Sequence, residues 1–365
     1  MWSSERARAL LLAGAGALFG ATFPSIAAAQ PQQAQGFAVE RLYTSAPGGG
    51  WFVMDDLNLF GRLGGGVSMT TGYARNPLRI PNGSQSLSVV SDEAFVDFGF
   101  AVTYDRLRLY FDFDSPVLIN GDSGVVGGYQ FMTPTAPPPA PAHFVDLGSN
   151  PDTLSDTRIG FDERLIGEPG GPFRLGAGAQ LWIPSGFRTE YDTDDTYRAM
   201  FRALFAGDVG IFTYAGQVGF HLRPLDDAPT PQSPQGSELL FGAAAGAKLP
   251  VNQGSMAFVV GPEVWGASAF RSLFGGSTTA LEGLLGARFE GTAADGPQLR
   301  AKLGAGLGIH DEFGAPEWRV VFGIELFDHG GDRDGDGVSD SKDACPDVVG
   351  PGSGDPKTNG CPRRP

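Results

Sequence analysis

The sequence predicts an all-β chain, a transmembrane antiparallel up-and-down β-barrel of about twelve strands followed by a short Asp-rich tail. Three observations predict it. Runs of roughly 9–13 residues alternate apolar and polar positions one by one, the length that a tilted membrane strand requires. Beyond the N-terminus no stretch supplies the roughly 20 apolar residues of a spanning helix, so a membrane crossing falls to a closed barrel with no backbone edge in lipid. Short and long connections also alternate along the chain, as they do where tight turns line one membrane face and open loops the other.

Composition agrees. The 365 residues include 55 Gly and are 18% charged, and the mean hydropathy is −0.09. Such averages arise when apolar and polar residues interleave rather than segregate. The net charge of −15 excludes nucleic acid as a partner, because phosphates call for basic patches.

Residues 1–29 read as a cleaved secretory signal: Arg6 and Arg8, an apolar run from Ala9 to Gly20, then Ala27-Ala28-Ala29 at the cleavage positions. No Cys follows to carry a lipid. Residues 30–65 have no clear period. Gln30 to Gln35 is polar and Trp51 to Leu63 is mixed; the segment plugs a lumen, extends the first strand or lies in the periplasm.

The barrel is expected over 66–328, with strands at 66–78, 92–102, 105–115, 155–165, 172–183, 197–207, 210–223, 237–249, 255–267, 278–290, 297–309 and 317–327. Leu107, Leu109, Phe111 and Phe113 take one face, Arg106, Arg108, Tyr110, Asp112 and Asp114 the other. The same division puts Phe100 and Val102 opposite Asp97 and Ala101. It also puts Phe212, Val218 and Phe220 opposite Thr213, Gln217 and His221, and Leu299, Leu303 and Leu307 opposite Arg300 and Lys302. Trp318, Val320, Phe322, Ile324 and Leu326 face outward on a final strand that ends in Phe327. Glycines on the polar face make room for long charged side chains, and Arg108 and Asp112 are expected to pair there. Inward Arg106, Arg108, Arg158, Arg164, Arg174, Arg300 and Lys302 would meet Asp112, Asp114, Asp162, Glu282 and Glu325 and close the lumen. Long loops are expected at 79–91, 116–154, 184–196, 224–236, 268–277 and 310–316. The second of these holds a Pro-rich stretch from Thr133 to Pro141 that reads as a solvated spacer.

The tail, 329–365, carries the strongest local motif. Asp332, Asp334, Asp336, Asp340 and Asp343 stand at loop positions 1, 3, 5, 9 and 12, with Gly337 at 6 and the Val338 carbonyl at 7. Oxygen ligands at these spacings wrap Ca²⁺. Cys345 and Cys361 are the two cysteines, and in an oxidising compartment they are expected to form a disulfide.

Asp332 to Pro362, with its Asp-rich loop and its Cys345-Pro346 and Cys361-Pro362 units, resembles a thrombospondin type 3 repeat. The barrel resembles OmpA-family outer-membrane proteins in pattern. In that family such a repeat links the barrel to a peptidoglycan-binding domain, which is expected to be lacking here because the sequence stops at Pro365. The resemblance implies outer-membrane lipid and the barrel-assembly machinery as partners, a cell-envelope or surface partner, and both termini in the periplasm.

Three functions compete: a structural or porin-like outer-membrane barrel with a calcium-stiffened periplasmic linker, a secreted soluble β-sandwich that binds a surface through its calcium tail, and a barrel hydrolase. The first is favoured. Of His143, His221, His310 and His329, only His310-Asp311 is expected at an external strand end, and adjacent residues on a strand point to opposite faces. No enzyme activity and no catalytic site are expected.

Overall fold

The computed structural model describes residues 31–61, 63–82, 85–131, 154–225, 235–251, 256–291, 297–310, 312–328, 331, 334, 338 and 340–362. The residues read as a signal sequence, the Pro-rich stretch, His143, Asp311, His329, Asp332 and Asp336 lie outside them. Among the described residues fifteen strands run in chain order: β1 (Gln32–Gln33), β2 (Gly64–Asn82), β3 (Gln85–Tyr104), β4 (Leu107–Asn120), β5 (Gly124–Val126), β6 (Tyr129–Phe131), β7 (Thr157–Ile166), β8 (Arg174–Ile183), β9 (Arg198–Val209), β10 (Phe212–Leu222), β11 (Glu238–Val251), β12 (Met256–Ala269), β13 (Thr279–Gly291), β14 (Gln298–His310) and β15 (Trp318–Asp328). Twelve of them close into one barrel, and β1, β6 and β5 form a separate three-stranded sheet. Closure is made by antiparallel pairing of β15 with β2, from Trp318 opposite Arg75 to Asp328 opposite Gly65. A continuous cylinder rules out the β-sandwich.

The strand ends fall within two residues of expectation, except around the first hairpin and at the end of β4. A long loop was expected at 79–91; instead β2 and β3 keep pairing to Asn82 and Gln85. The cause is burial beyond the barrel rim. Leu78, Ile80, Val89, Val90 and Ile119 pack with Phe37, Val126, Phe131, Tyr191, Leu225 and Phe313 in one apolar cluster, so the hairpin has a reason to stay ordered outside the cylinder. The ladder shifts register between Arg75 and Leu78, where Asn76 takes a φ of 51°. Together with β1, β5 and β6 this hairpin builds a cap over the long-loop rim.

Outward side chains are apolar along the whole wall. Leu109, Phe161, Phe201, Val218, Leu285, Leu303 and Leu326 are all exposed to the surroundings of the barrel, which a protein in water avoids on this scale. Aromatic side chains mark both edges of the apolar surface: Tyr104, Phe173 and Phe212 near the short turns, Tyr197, Phe270, Phe274 and Trp318 near the long loops. Girdles of this kind sit at the two water interfaces of a bilayer.

Inward positions carry charged and small residues, with apolar ones such as Leu204, Val259 and Leu284 among them. Arg108, Asp112, Arg158, Asp162, Arg202, Glu282, Arg300 and Lys302 are buried, as the alternation requires. Arg106 is the exception: it is exposed in the β3–β4 turn, so it belongs to neither face of the wall. Nor do Arg108 and Asp112 pair. Arg108 reaches Asp162 at 3.1 Å and Asp112 is held by Arg158 at 3.0 Å, because direct cross-strand partners lie closer than residues four apart on one strand.

Candidate functional site

The stretch whose structure the sequence left open fills the barrel. Gln32 and Ala34 donate backbone hydrogen bonds to Gly128 and Gln130 in the cap. From there the chain runs down the inside of the wall and leaves at the short-turn rim, where Gly61 accepts from the Asp105 amide and β2 begins. Gln32 and Asp328 therefore stand at opposite rims. The chain crosses the lumen between Gln32 and the start of β2.

Three tiers of contacts hold the segment. In the upper tier the Ala38 amide donates to Asp194 at 2.9 Å, Arg41 pairs with Glu238 at 3.3 Å, and Arg319 pairs with Glu40 at 2.7 Å. In the middle tier the amides of Phe52, Val53 and Met54 converge on the Glu263 carboxylate at 2.8, 3.0 and 3.3 Å, and Lys302 donates to the Trp51 carbonyl at 3.0 Å. Three backbone donors give that buried anion the solvation that water supplies elsewhere. In the lower tier Asp55 pairs with Arg108, Arg174 donates to the Asp56 carbonyl at 2.8 Å, and Arg164 donates to the Leu59 carbonyl at 2.9 Å.

Apolar seats match these polar ones. Trp51, Phe52, Val53, Met54 and Leu57 are buried in a cluster with Leu204, Ala215, Ala244, Val259 and Leu284 of the wall. Guanidinium Arg288 lies 4.8 Å from the Trp51 ring centre and Lys302 lies 5.1 Å from that of Phe52, geometry that suits cation–π attraction. Inward glycines make the room. A Cβ on Gly242 would come within 2.4 Å of Met54, and one on Gly246 within 2.8 Å of Trp51. Sequence reasoning assigned such glycines to long charged neighbours, but here the neighbour is the inserted segment.

Below the cap the segment leaves part of the lumen unfilled. A cavity of about 70 Å³ lies between Tyr43 and Thr44 of the segment, Phe95, Asp97 and Asp114 of β3 and β4, and Trp182 of β8. Asp97 and Asp114 stand directly opposite one another in the β3–β4 ladder. Beside the cavity, in the loop between β8 and β9, Asp194 binds Arg223 at 2.7 Å. Burial pushes that carboxyl up, but Arg223 and Arg198 outweigh it and hold it below the usual carboxylate range.

In the tail, Cys345 and Cys361 form the expected disulfide. Of the residues read as cation ligands, Asp334, Val338 and Asp343 are half-buried and Asp340 is buried. Asp343 accepts from the Cys345 amide at 2.7 Å through one oxygen, while its other oxygen is buried without a donor. A set that offers only oxygen, one of them an unsatisfied carboxylate oxygen, has the chemistry of a hard-cation site; among the described residues, which leave out Asp332 and Asp336, no three such side chains are gathered closely enough to hold a metal ion. His310 ends β14 with its Nδ1 buried and unpartnered, and its sequence neighbour Asp311 lies outside the described residues, so the pair gives no catalytic geometry.

An apolar-skinned closed cylinder with aromatic rims and a charged interior defines a transmembrane β-barrel, here one filled by its own N-terminal segment. No family model matches the chain, and no curated protein matches it. Among solved structures it is similar to an outer membrane channel from Pseudomonas putida F1, with 15% identity over 74% of this chain and 95% of that one, at a TM-score of 0.45. It is also similar to the NanC porin, with 6% identity over 71% of this chain and 98% of that one (TM-score 0.38). A third is the outer membrane channel DcaP of Acinetobacter baumannii, with 10% identity over 73% of this chain and 96% of that one (TM-score 0.26).

Proposed function

We propose that this chain is an outer-membrane barrel whose porin-like lumen is stoppered by residues 34–59, so that its resting state is closed and its role is structural until the stopper moves. The observation that carries this reading is the convergence of the Phe52, Val53 and Met54 amides on Glu263. It pins the segment at mid-lumen, where a twelve-stranded wall leaves little spare section. Bacterial barrels keep short turns in the periplasm and longer loops outside. The cap and Gln32 then lie at the cell surface, where a surface partner would meet them, and the tail lies in the periplasm. The terminal strand β15, with its outward aromatics, is the element offered to the barrel-assembly machinery.

In this reading Asp332, Asp334, Asp336, Asp340, Asp343 and the Val338 carbonyl hold Ca²⁺, which together with the disulfide stiffens a linker with little apolar content. The tail is the counterpart of a thrombospondin type 3 repeat, and the barrel of the OmpA pattern. Chelation in the full chain is expected to expose the segment after Asp328 to protease while the barrel stays resistant; equal resistance with and without chelator speaks against the metal.

Planar-bilayer recording tests the stopper. The intact chain is expected to give no steady conductance, and a chain lacking residues 37–59 is expected to give discrete steps. Steady openings in the intact chain overturn the reading. So does silence from a shortened chain that still shows the heat-modifiable gel mobility of a folded barrel.

A further inference from the structure

We propose that the cavity beneath the cap is a binding site for a small organic amine, with its ammonium group seated between Asp97 and Asp114 and its alkyl body against Tyr43, Phe95 and Trp182.

The argument starts from charge. Several carboxylates of this half of the lumen have cations: Asp112 has Arg158 at 3.0 Å, Asp156 has Arg198 at 2.8 Å, and Glu40 has Arg319 at 2.7 Å. Among the described residues no ion pair reaches Glu93, Asp97 or Asp114, and each has an oxygen shut away from solvent with no hydrogen-bond donor. Asp97 is the most enclosed, at 7% exposure. One of its oxygens accepts from the Thr44 hydroxyl, and the other has no partner. On the facing strand, Asp114 accepts from Ser155 at 3.3 Å, with its second oxygen likewise unpartnered.

Like charges directly opposite on a ladder repel, and a buried anion without a donor is costly. Arg158 and Arg202 are already committed to Asp112 and Asp162, so a proton or a guest must supply the missing positive charge. The cavity favours the guest. It is lined by the carboxylates Glu93, Asp97 and Asp114 and by the rings of Tyr43, Phe95 and Trp182, a combination that recognises an ammonium joined to a short hydrocarbon. A metal ion fits less well: among the described residues no three His, Cys, Asp or Glu side chains are gathered closely enough to hold one. The site does not depend on whether the lumen conducts, so bilayer recording and the following titration fail separately.

The test is calorimetric titration of the full chain, folded in detergent, with putrescine as the probe and 1,4-butanediol as its uncharged counterpart. Putrescine is expected to bind, more weakly as salt rises, and the diol is not. Each of Asp97→Asn and Asp114→Asn is expected to lower the affinity by about tenfold, the order expected for removing one close charge in a partly shielded site. Heat-modifiable mobility establishes that each variant is folded. An infrared band from protonated carboxyls that disappears on adding putrescine, and is reduced in Asp97→Asn, supports the site without relying on affinity. Undiminished binding by the double variant overturns the proposal, since the amine then sits on exposed acidic loops. So does the absence of any putrescine binding by the unmodified chain, or a carboxyl band that putrescine leaves unchanged.

Discussion

In the short-turn half of the lumen the inserted segment completes the charge pairs of the wall; in the long-loop half it leaves some open. Arg108 lies between Asp55 of the segment and Asp162 of β7, and Arg202 joins them through Asp162 at 2.8 Å. At the other end the segment presents only the Thr44 hydroxyl to Asp97, and Asp114 receives nothing from it. The wall has the same alternating construction in both halves. What differs is the side chain that the segment brings to each level, so one element decides where the interior is sealed and where it can take a guest.

The comparison can be broken most severely in the sealed half. Arg108→Met leaves Asp55 and Asp162 buried with one cation fewer, and is expected to lower stability by ~3–5 kcal/mol in denaturant unfolding of the detergent-folded barrel. Trp51→Ala removes the ring beneath Arg288 and is expected to cost about as much, ~3–5 kcal/mol; a loss below ~1 kcal/mol in the same assay would mean that the segment is not packed. Gly242→Val tests the seat from the wall side. Its new side chain meets Met54, and the expected loss is ~1–3 kcal/mol, largely relieved by the companion change Met54→Ala.

Smaller effects sharpen the contrast. Asp97→Asn in the open half is expected to leave stability unchanged or raise it by up to ~1 kcal/mol, because it removes a buried charge that faces another. A loss as large as that of Arg108→Met would erase the difference between the halves. The cap adds a dependence on pH. Asp194 titrates lower when folded than when unfolded, so its contribution is fully present above its unfolded pKa and is lost as pH falls through the folded one. Acid, not alkali, is therefore expected to loosen the Ala38 amide bonded to it. Hydrogen exchange at Ala38 reads this, and Asp194→Asn should expose that amide without the acid step.

The wall was legible because its rule is local. A period of two, repeated from Val67 to Leu326, fixes which side chains point outward, and the outward set from Leu107 to Phe111 and from Trp318 to Leu326 is exposed as the alternation requires. The inserted segment follows no such rule. Its order rests on partners far away in sequence, such as Phe52 with Glu263 and Lys302 with Trp51, and no window along the chain contains both members. A faint signal was present all the same. Gly242 and Gly246 stand at inward positions of β11 where a narrow barrel otherwise has long side chains, and the nearest candidates to fill that space were the aromatics Trp51 and Phe52. The extended first hairpin was missed for a related reason, since Leu78, Ile80, Val89 and Val90 owe their order to the cap and not to the membrane.

The path of residues 34–61 also constrains the order of events during biogenesis. A cylinder that had already sealed β15 against β2 would have to admit the bulky side chains of Arg41 and Trp51, both buried inside it, endwise. It is simpler for the wall to wrap around a leader lying along its axis, with the last seam zipped after Glu263 has captured its three amides. The early part of the chain would then act as the mandrel on which the rest is wound.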